Sequence, residues 1–152
     1  QEQHYWIPVE PVILALSFRF GSIHTFAGDD PVPISERFFA GGSNTLRGFE
    51  VDRAGPLDPI TNEPLGGNAL VIGNVELRFP IYRTVEGAVF YDVGNVFVDL
   101  SSMRWQDVTH SVGAGLRLKT PLGPIRLDFG YSLKDIPNDK ENQFFITIGN
   151  PF

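Results

Sequence analysis

The sequence predicts an all-β protein, about six strands of a transmembrane antiparallel β-barrel. Three observations carry this. Apolar and polar residues alternate with period two in six separate segments. The connections between those segments alternate between short and long, as they do in outer-membrane barrels. One face of each segment is apolar, and the other mixes charged residues with Gly and Ser. A soluble barrel reverses that arrangement, with an apolar interior and a polar outside. A charge on a lipid-facing strand position costs about 2–4 kcal/mol at the midplane, and the apolar faces here carry almost none.

The elements follow in order. Residues 12–21, VILALSFRFG, place Val12, Leu14, Leu16, Phe18 and Phe20 opposite Ser17 and Arg19. In residues 68–79, Val71, Val75, Leu77 and Phe79 oppose Asn74, Glu76 and Arg78. In residues 86–97, Val89, Tyr91 and Val93 oppose Glu86, Phe90 and Asp92. In residues 111–119, Val112, Ala114, Leu116 and Leu118 oppose Ser111, Gly113, Gly115, Arg117 and Lys119. In residues 125–131, Leu127, Phe129 and Tyr131 oppose Arg126, Asp128 and Gly130, the charged pair reading as a ladder. The last segment, 143–152, sets Phe144, Ile146, Ile148 and Phe152 against Gln143, Phe145, Thr147 and Gly149. Tyr5 to Val9 is a candidate for the end of one further strand. Residues 80–85 and 120–124 read as short Pro- and Gly-bearing turns, with Pro kept out of strand interiors. Residues 99–109 and 134–142 are longer polar loops, and residues 22–67 form a very long one.

Composition narrows the function classes. Eighteen acidic residues against 12 basic ones give a formal charge of -6, which argues against a nucleic-acid partner. The absence of cysteine excludes disulfides, thiol catalysis and Cys-based zinc sites. No apolar run reaches the ~18 residues of a transmembrane helix. The opening residues QEQHYW do not resemble a signal peptide. Bacterial single-chain barrels normally start at about 8 strands, and an open edge is not tolerated in lipid. Six or seven strands therefore imply the C-terminal part of a larger barrel, or closure with another chain.

The long loop carries the sharpest candidate. Arg47 lies between Leu46 and Phe49 in the run FFAGGSNTLRGFE. If the loop enters a barrel lumen, its guanidinium needs carboxylate partners, since an unpaired buried charge costs several kcal/mol, roughly 3–5 when one partner is lost. Asp92 and Glu76 lie on polar faces of the next two strands and could reach it. Arg suits the role better than Lys because its planar fork binds carboxylate bidentately. Gly48 would permit a sharp turn and Phe49 would anchor the tip. The competing reading is an exposed Arg in a mobile loop.

These residues resemble the family of large outer-membrane assembly proteins that includes BamA, TamA and the two-partner-secretion transporters. FFAGGSNTLRGFE is similar to that family's sixth extracellular loop, with Arg47-Gly48-Phe49 on its Arg-Gly-Phe/Tyr motif. Phe90-Tyr91-Asp92-Val93-Gly94 matches the Phe-x-Asp-x-Gly strand motif that pairs with that Arg, and Glu76 the acidic position on the intervening strand. GAGLRLKTPLGPIRLDFGYSL looks like the penultimate hairpin, and QFFITIGNPF like the C-terminal strand with its terminal Phe152.

The resemblance implies a barrel of about sixteen strands with periplasmic substrate-binding repeats upstream. It implies insertion of nascent β-barrel proteins into the bacterial outer membrane through a weakly paired seam, or secretion across it. The seam and assembly signal would be residues 143–152, with Phe144, Ile146, Ile148, Gly149 and Phe152. A substrate strand would add there by β-augmentation. Implied partners are nascent outer-membrane proteins, outer-membrane lipid and accessory assembly proteins.

Two readings from other classes compete: a passive pore and a soluble ligand-binding barrel. No enzymatic activity, metal or cofactor is expected. His4, His24 and His110 lack ligand spacing, no Ser/His/Asp set is coherent, and no Walker Lys follows Gly41-Gly42 or Gly66-Gly67.

Overall fold

A computed structural model describes residues 2–9, 12–25, 31–121, 123–134 and 142–149. Seven strands form one antiparallel sheet in which each strand pairs with its neighbours in sequence. They are β1 (Glu2–Val9), β2 (Val12–Ser22), β3 (Ala69–Tyr82), β4 (Val85–Phe97), β5 (Thr109–Leu118), β6 (Ile125–Ser132) and β7 (Asn142–Ile148). The candidate seventh strand is thus present, and longer than its Tyr5–Val9 fragment suggested. Among the described residues the only helical pieces are three short 3-10 turns. At about 3.4 Å per residue, the 13 residues of β4 span roughly 44 Å, or about 30 Å when tilted by ~45°. That length matches a hydrocarbon core.

The period-two faces seen in sequence separate cleanly. Val75, Leu77, Phe79, Val89, Tyr91, Val112, Leu116, Phe129 and Phe144 are exposed on one face. Asn74, Glu76, Arg78, Asp92, Ser111, Arg117, Arg126 and Asp128 are buried on the other. So broad an exposed apolar surface is not that of a water-soluble monomer. The soluble-barrel reading fails on this inversion, because the charges lie on the covered face.

The cover is the long loop, described over residues 31–68. Its strand-like bridge Phe38↔Gly67 closes the base. Inside it, Gly42 N–H donates to Phe49 O (3.0 Å) and Ala54 N–H to Ala40 O (2.8 Å). Ala40, Leu46, Phe49 and Ala54 pack against Ile72 of β3 and Val96 of β4. This is the hydrophobic core of the described residues, and it joins the loop to the sheet rather than sheet to sheet.

One expectation needs correcting. Pro80 lies inside β3, not in the turn, which is formed by Arg83 and Thr84. The ladder shifts register between Pro80 and Tyr82. A proline without an N–H is tolerated at such an irregularity near a strand end. The strands also begin and end a few residues away from the segments read by alternation: β5 opens at Thr109, and β7 is described only to Ile148.

Candidate functional site

The loop delivers Arg47 to the covered face at the level of two register rows. One row is Ser17, Asn74, Asp92, Ser111 and Ser132; the next is Ala15, Glu76, Phe90, Gly113 and Gly130. Successive inward positions on a strand are two residues apart, so Asn74 and Glu76 on β3, and Phe90 and Asp92 on β4, share one patch.

Arg47 is almost wholly buried and spends its guanidinium on both acids. Nε donates to Asp92 Oδ2 (2.8 Å) and Nη2 to Asp92 Oδ1 (2.7 Å), a bidentate fork. Its backbone N–H donates to the same Oδ2 (3.1 Å). Nη1 donates to Glu76 Oε2. Below the fork, Cζ stands 3.5 Å from the centroid of the Phe90 ring, a cation–π contact. Asn74 Nδ2 completes the patch, donating to Asp92 Oδ1 (2.9 Å) and to Thr45 O of the loop (2.6 Å).

Glycines set how closely the loop approaches. Gly48 lies in the turn closed by Phe49 N–H to Leu46 O (3.1 Å), but without a positive φ. What requires glycine is proximity: a Cβ there would stand 2.5 Å from Ser111 Cβ. On β6, a Cβ at Gly130 would stand 2.0 Å from Arg47 O. The turn expected at Gly48 exists, and its reason is contact with β5 and β6. Phe49 is buried in the core beside Leu46.

The charges continue across the sheet. Glu76 Oε1 accepts from Arg78 Nε (2.6 Å), and Oε2 also accepts from Arg117 Nη2 (2.9 Å). Arg117 Nη1 stands 2.6 Å from Asp128 Oδ1. Four buried guanidinium groups, of Arg47, Arg78, Arg117 and Arg126, thus face three buried carboxylates, of Glu76, Asp92 and Asp128. Asn74 and Arg117 were not singled out from sequence as members of the site, and Phe90 entered only through the Phe-x-Asp-x-Gly resemblance, without its cation–π role. Their parity on the strands of Glu76, Asp92 and the β5 glycines was the available signal; cross-strand register was not.

An Omp85 superfamily domain matches residues 2–152. The chain belongs to the Omp85 superfamily. It is 33% identical over 151 residues to "Outer membrane protein assembly factor BamA" of Neorickettsia risticii, covering 94% of this chain and 20% of that protein. It is 32% identical over 105 residues to "Outer envelope protein 80, chloroplastic" of Arabidopsis thaliana, covering 64% of this chain and 13% of that one. The crystal structure of BamA from Haemophilus ducreyi lacking POTRA domains 1–3 shares the fold, with a TM-score of 0.76 over 94% of this chain and 33% of that one, at 23% identity. The chain therefore spans about a fifth of the BamA relative and is the C-terminal part of an Omp85 barrel.

Within that frame the C-terminal candidates are placed only in part. Phe144, Ile146 and Ile148 of β7 point to the exposed apolar face, away from Arg47. Gly149 follows with φ 110°, and its N–H still donates to Pro124 O (2.8 Å), so the β6 side of β7 stays bonded to that point. Phe152, with Asn150 and Pro151, lies outside the described residues.

Proposed function

We propose that this chain is the C-terminal barrel portion of an outer-membrane assembly factor that folds and inserts β-barrel proteins into the bacterial outer membrane. The observation that carries the reading is the seated loop: Arg47 binds two carboxylates on two different strands while Leu46 and Phe49 fill the core beneath it. A passive pore needs no such lock. The names of the BamA relatives support the same role. In this reading the barrel has about sixteen strands and the covered face lines its lumen. The exposed apolar face meets lipid. Residues 143–152 form the seam, where a nascent strand adds by β-augmentation. Nascent outer-membrane proteins are the substrates, and accessory assembly proteins act upstream. The Arg47-Gly48-Phe49 lock holds the loop against Asp92 and Glu76 while the seam works.

The test is replacement of the wild-type gene by Arg47→Ala in the full-length protein, followed by quantifying folded outer-membrane proteins through their heat-modifiable mobility. The expected result is a several-fold fall with the variant still present in the membrane. Unchanged barrel proteins with loss of one secreted partner would move the function to secretion. No change in either would sink the lock.

A further inference from the structure

Arg126 of β6 is a second guanidinium buried under the loop, and the Arg47 lock makes no use of it. Only 1% of it is exposed. It divides its bonds between two elements far apart in sequence. Nη2 donates to Ser43 O (3.1 Å) and Asn44 Oδ1 (3.3 Å), three and four residues before Arg47 in the loop. Nε donates to Thr147 Oγ1 of β7 (2.9 Å), its register partner. The nearest carboxylate is Asp128, 3.7 Å away on the same strand, and Asp128 is already held at 2.6 Å by Arg117. Asn44 is gripped from the other side as well: its carbonyl accepts from Arg19 Nη1 of β2 (2.8 Å).

A continuous polar run therefore joins Asp92, Arg47, Glu76, Arg117, Asp128, Arg126 and Thr147, crossing from β4 to β7. Its last link depends on the loop. With the loop seated, neutral acceptors on both sides take Nη2 and Nε, while the buried Nη1 has none, so Arg126 is held toward Thr147 with no acceptor to spare. With the loop withdrawn, Nη2 loses both loop acceptors in a buried setting. A buried cation left short of acceptors is costly. The closest remedy is to swing toward Asp128, which releases Thr147.

We propose that Arg126 is a positioning residue that couples the seating of the loop to the order of β7. A seated loop holds the inner face of β7 through Arg126 and Thr147, and an unseated loop frees it. The inference rests on the reading of Arg47 as the loop's lock and of β7 as the strand that works at the seam.

The test is amide hydrogen exchange on the full-length protein in lipid nanodiscs, followed in peptides covering residues 42–49 and 142–149. The proteins compared are wild type, Arg47→Ala, Thr147→Val and the double variant. Thr147→Val removes only the acceptor and keeps nearly the same shape, so it serves where Arg126→Gln would not fold. Arg47→Ala should speed exchange in both peptides, with β7 rising roughly fivefold, a factor typical of couplings of this kind. Thr147→Val should raise β7 exchange by itself and leave no further rise in β7 when Arg47→Ala is added, while the loop still responds. Faster loop exchange with β7 unchanged would overturn the coupling and leave the lock standing. An equal β7 response to Arg47→Ala with and without Thr147 would overturn Arg126 as the carrier. A loop peptide indifferent to Arg47→Ala would overturn the lock itself.

Discussion

Residues 40–54 and residues 57–64 belong to the same loop, and they are held by different physics. In the first, Leu46 is 0% and Arg47 2% exposed, and the side chains of Leu46, Arg47 and Phe49 are seated on strands β3 and β4 further along the chain. In the second, Ile60 is 92% exposed and the shape comes from within. Asp58 N–H donates to Glu63 O (2.9 Å), Asn62 N–H donates to Asp58 O (2.8 Å), and Asp58 Oδ1 accepts from the backbone of Ile60 and Thr61 (2.8 Å each). Local turn chemistry suffices where water can satisfy whatever is left over. Where water is excluded, the loop is positioned by partners that only the fold can bring, and removing one partner is correspondingly severe.

The largest break in that contrast is Arg47→Ala. It takes the guanidinium from buried Asp92 and one of three from Glu76, and should cost about 3–5 kcal/mol locally. Protease should then cut within residues 40–54 while far-UV circular dichroism keeps its β content. The two acids are not equally exposed to the loss. Glu76 retains Arg78 and Arg117, whereas Asp92 retains Asn74 and the Arg47 backbone N–H. Adding Asp92→Asn to Arg47→Ala should therefore recover part of the protease resistance, and adding Glu76→Gln should recover less. An equal response to both would mean that the carboxylates act as one pool. Exchanging the charges of Arg47 and Asp92 should not restore the lock, because a side chain at 92 must also accept the Arg47 backbone N–H.

Gly130→Ala is a smaller break, made without touching a charge. Its Cβ would meet Arg47 O at 2.0 Å, so the loop must rise from β6 at about 1–3 kcal/mol, the usual range for overpacking. Faster hydrogen exchange in residues 42–49, with residues 57–64 unaffected, is the expected signature. The smallest effect concerns the outer segment. The carboxylate of Asp58 is held below its usual value of 3.8 by the Thr61 and Ile60 backbone N–H groups. Because the folded value is depressed, the support is present above about pH 4 and fades as pH falls through the lower folded value. Amides 60 and 61, corrected for intrinsic exchange, should lose protection there while residues 42–49 do not. Simultaneous loss in both segments would mean that the loop opens as one unit.

Much of the wall could be read in advance because the period of a strand leaves little choice. A lipid-facing row must be apolar, so Val75, Leu77, Val89 and Phe129 announced one face, and Glu76, Asp92, Arg126 and Asp128 the other. Pro80 misled, since a register shift near a strand end accommodates a proline that alternation alone would exclude. Asn74 and Arg117 were visible as inward residues but not as members of the Arg47 patch, and Phe90 was visible only as part of the strand motif. Their adjacency follows from the registers in which β3 pairs with β4 and β4 with β5.

By itself, the sequence determined which residues could afford lipid and which could not, because transfer of a side chain out of water depends on its chemistry and on strand parity. It likewise marked Arg47 as a charge in need of acids. The sequence also named Asp92 and Glu76 as acids within reach; the tertiary structure alone decided how they divide the guanidinium, how Gly48 and Gly130 let the loop settle on the wall, and that Arg126 spans from the loop to β7. Those outcomes depend on distances between segments up to 104 residues apart, from Ser43 to Thr147, and a buried ion pair forms only where register and loop path bring its two halves within a few ångströms.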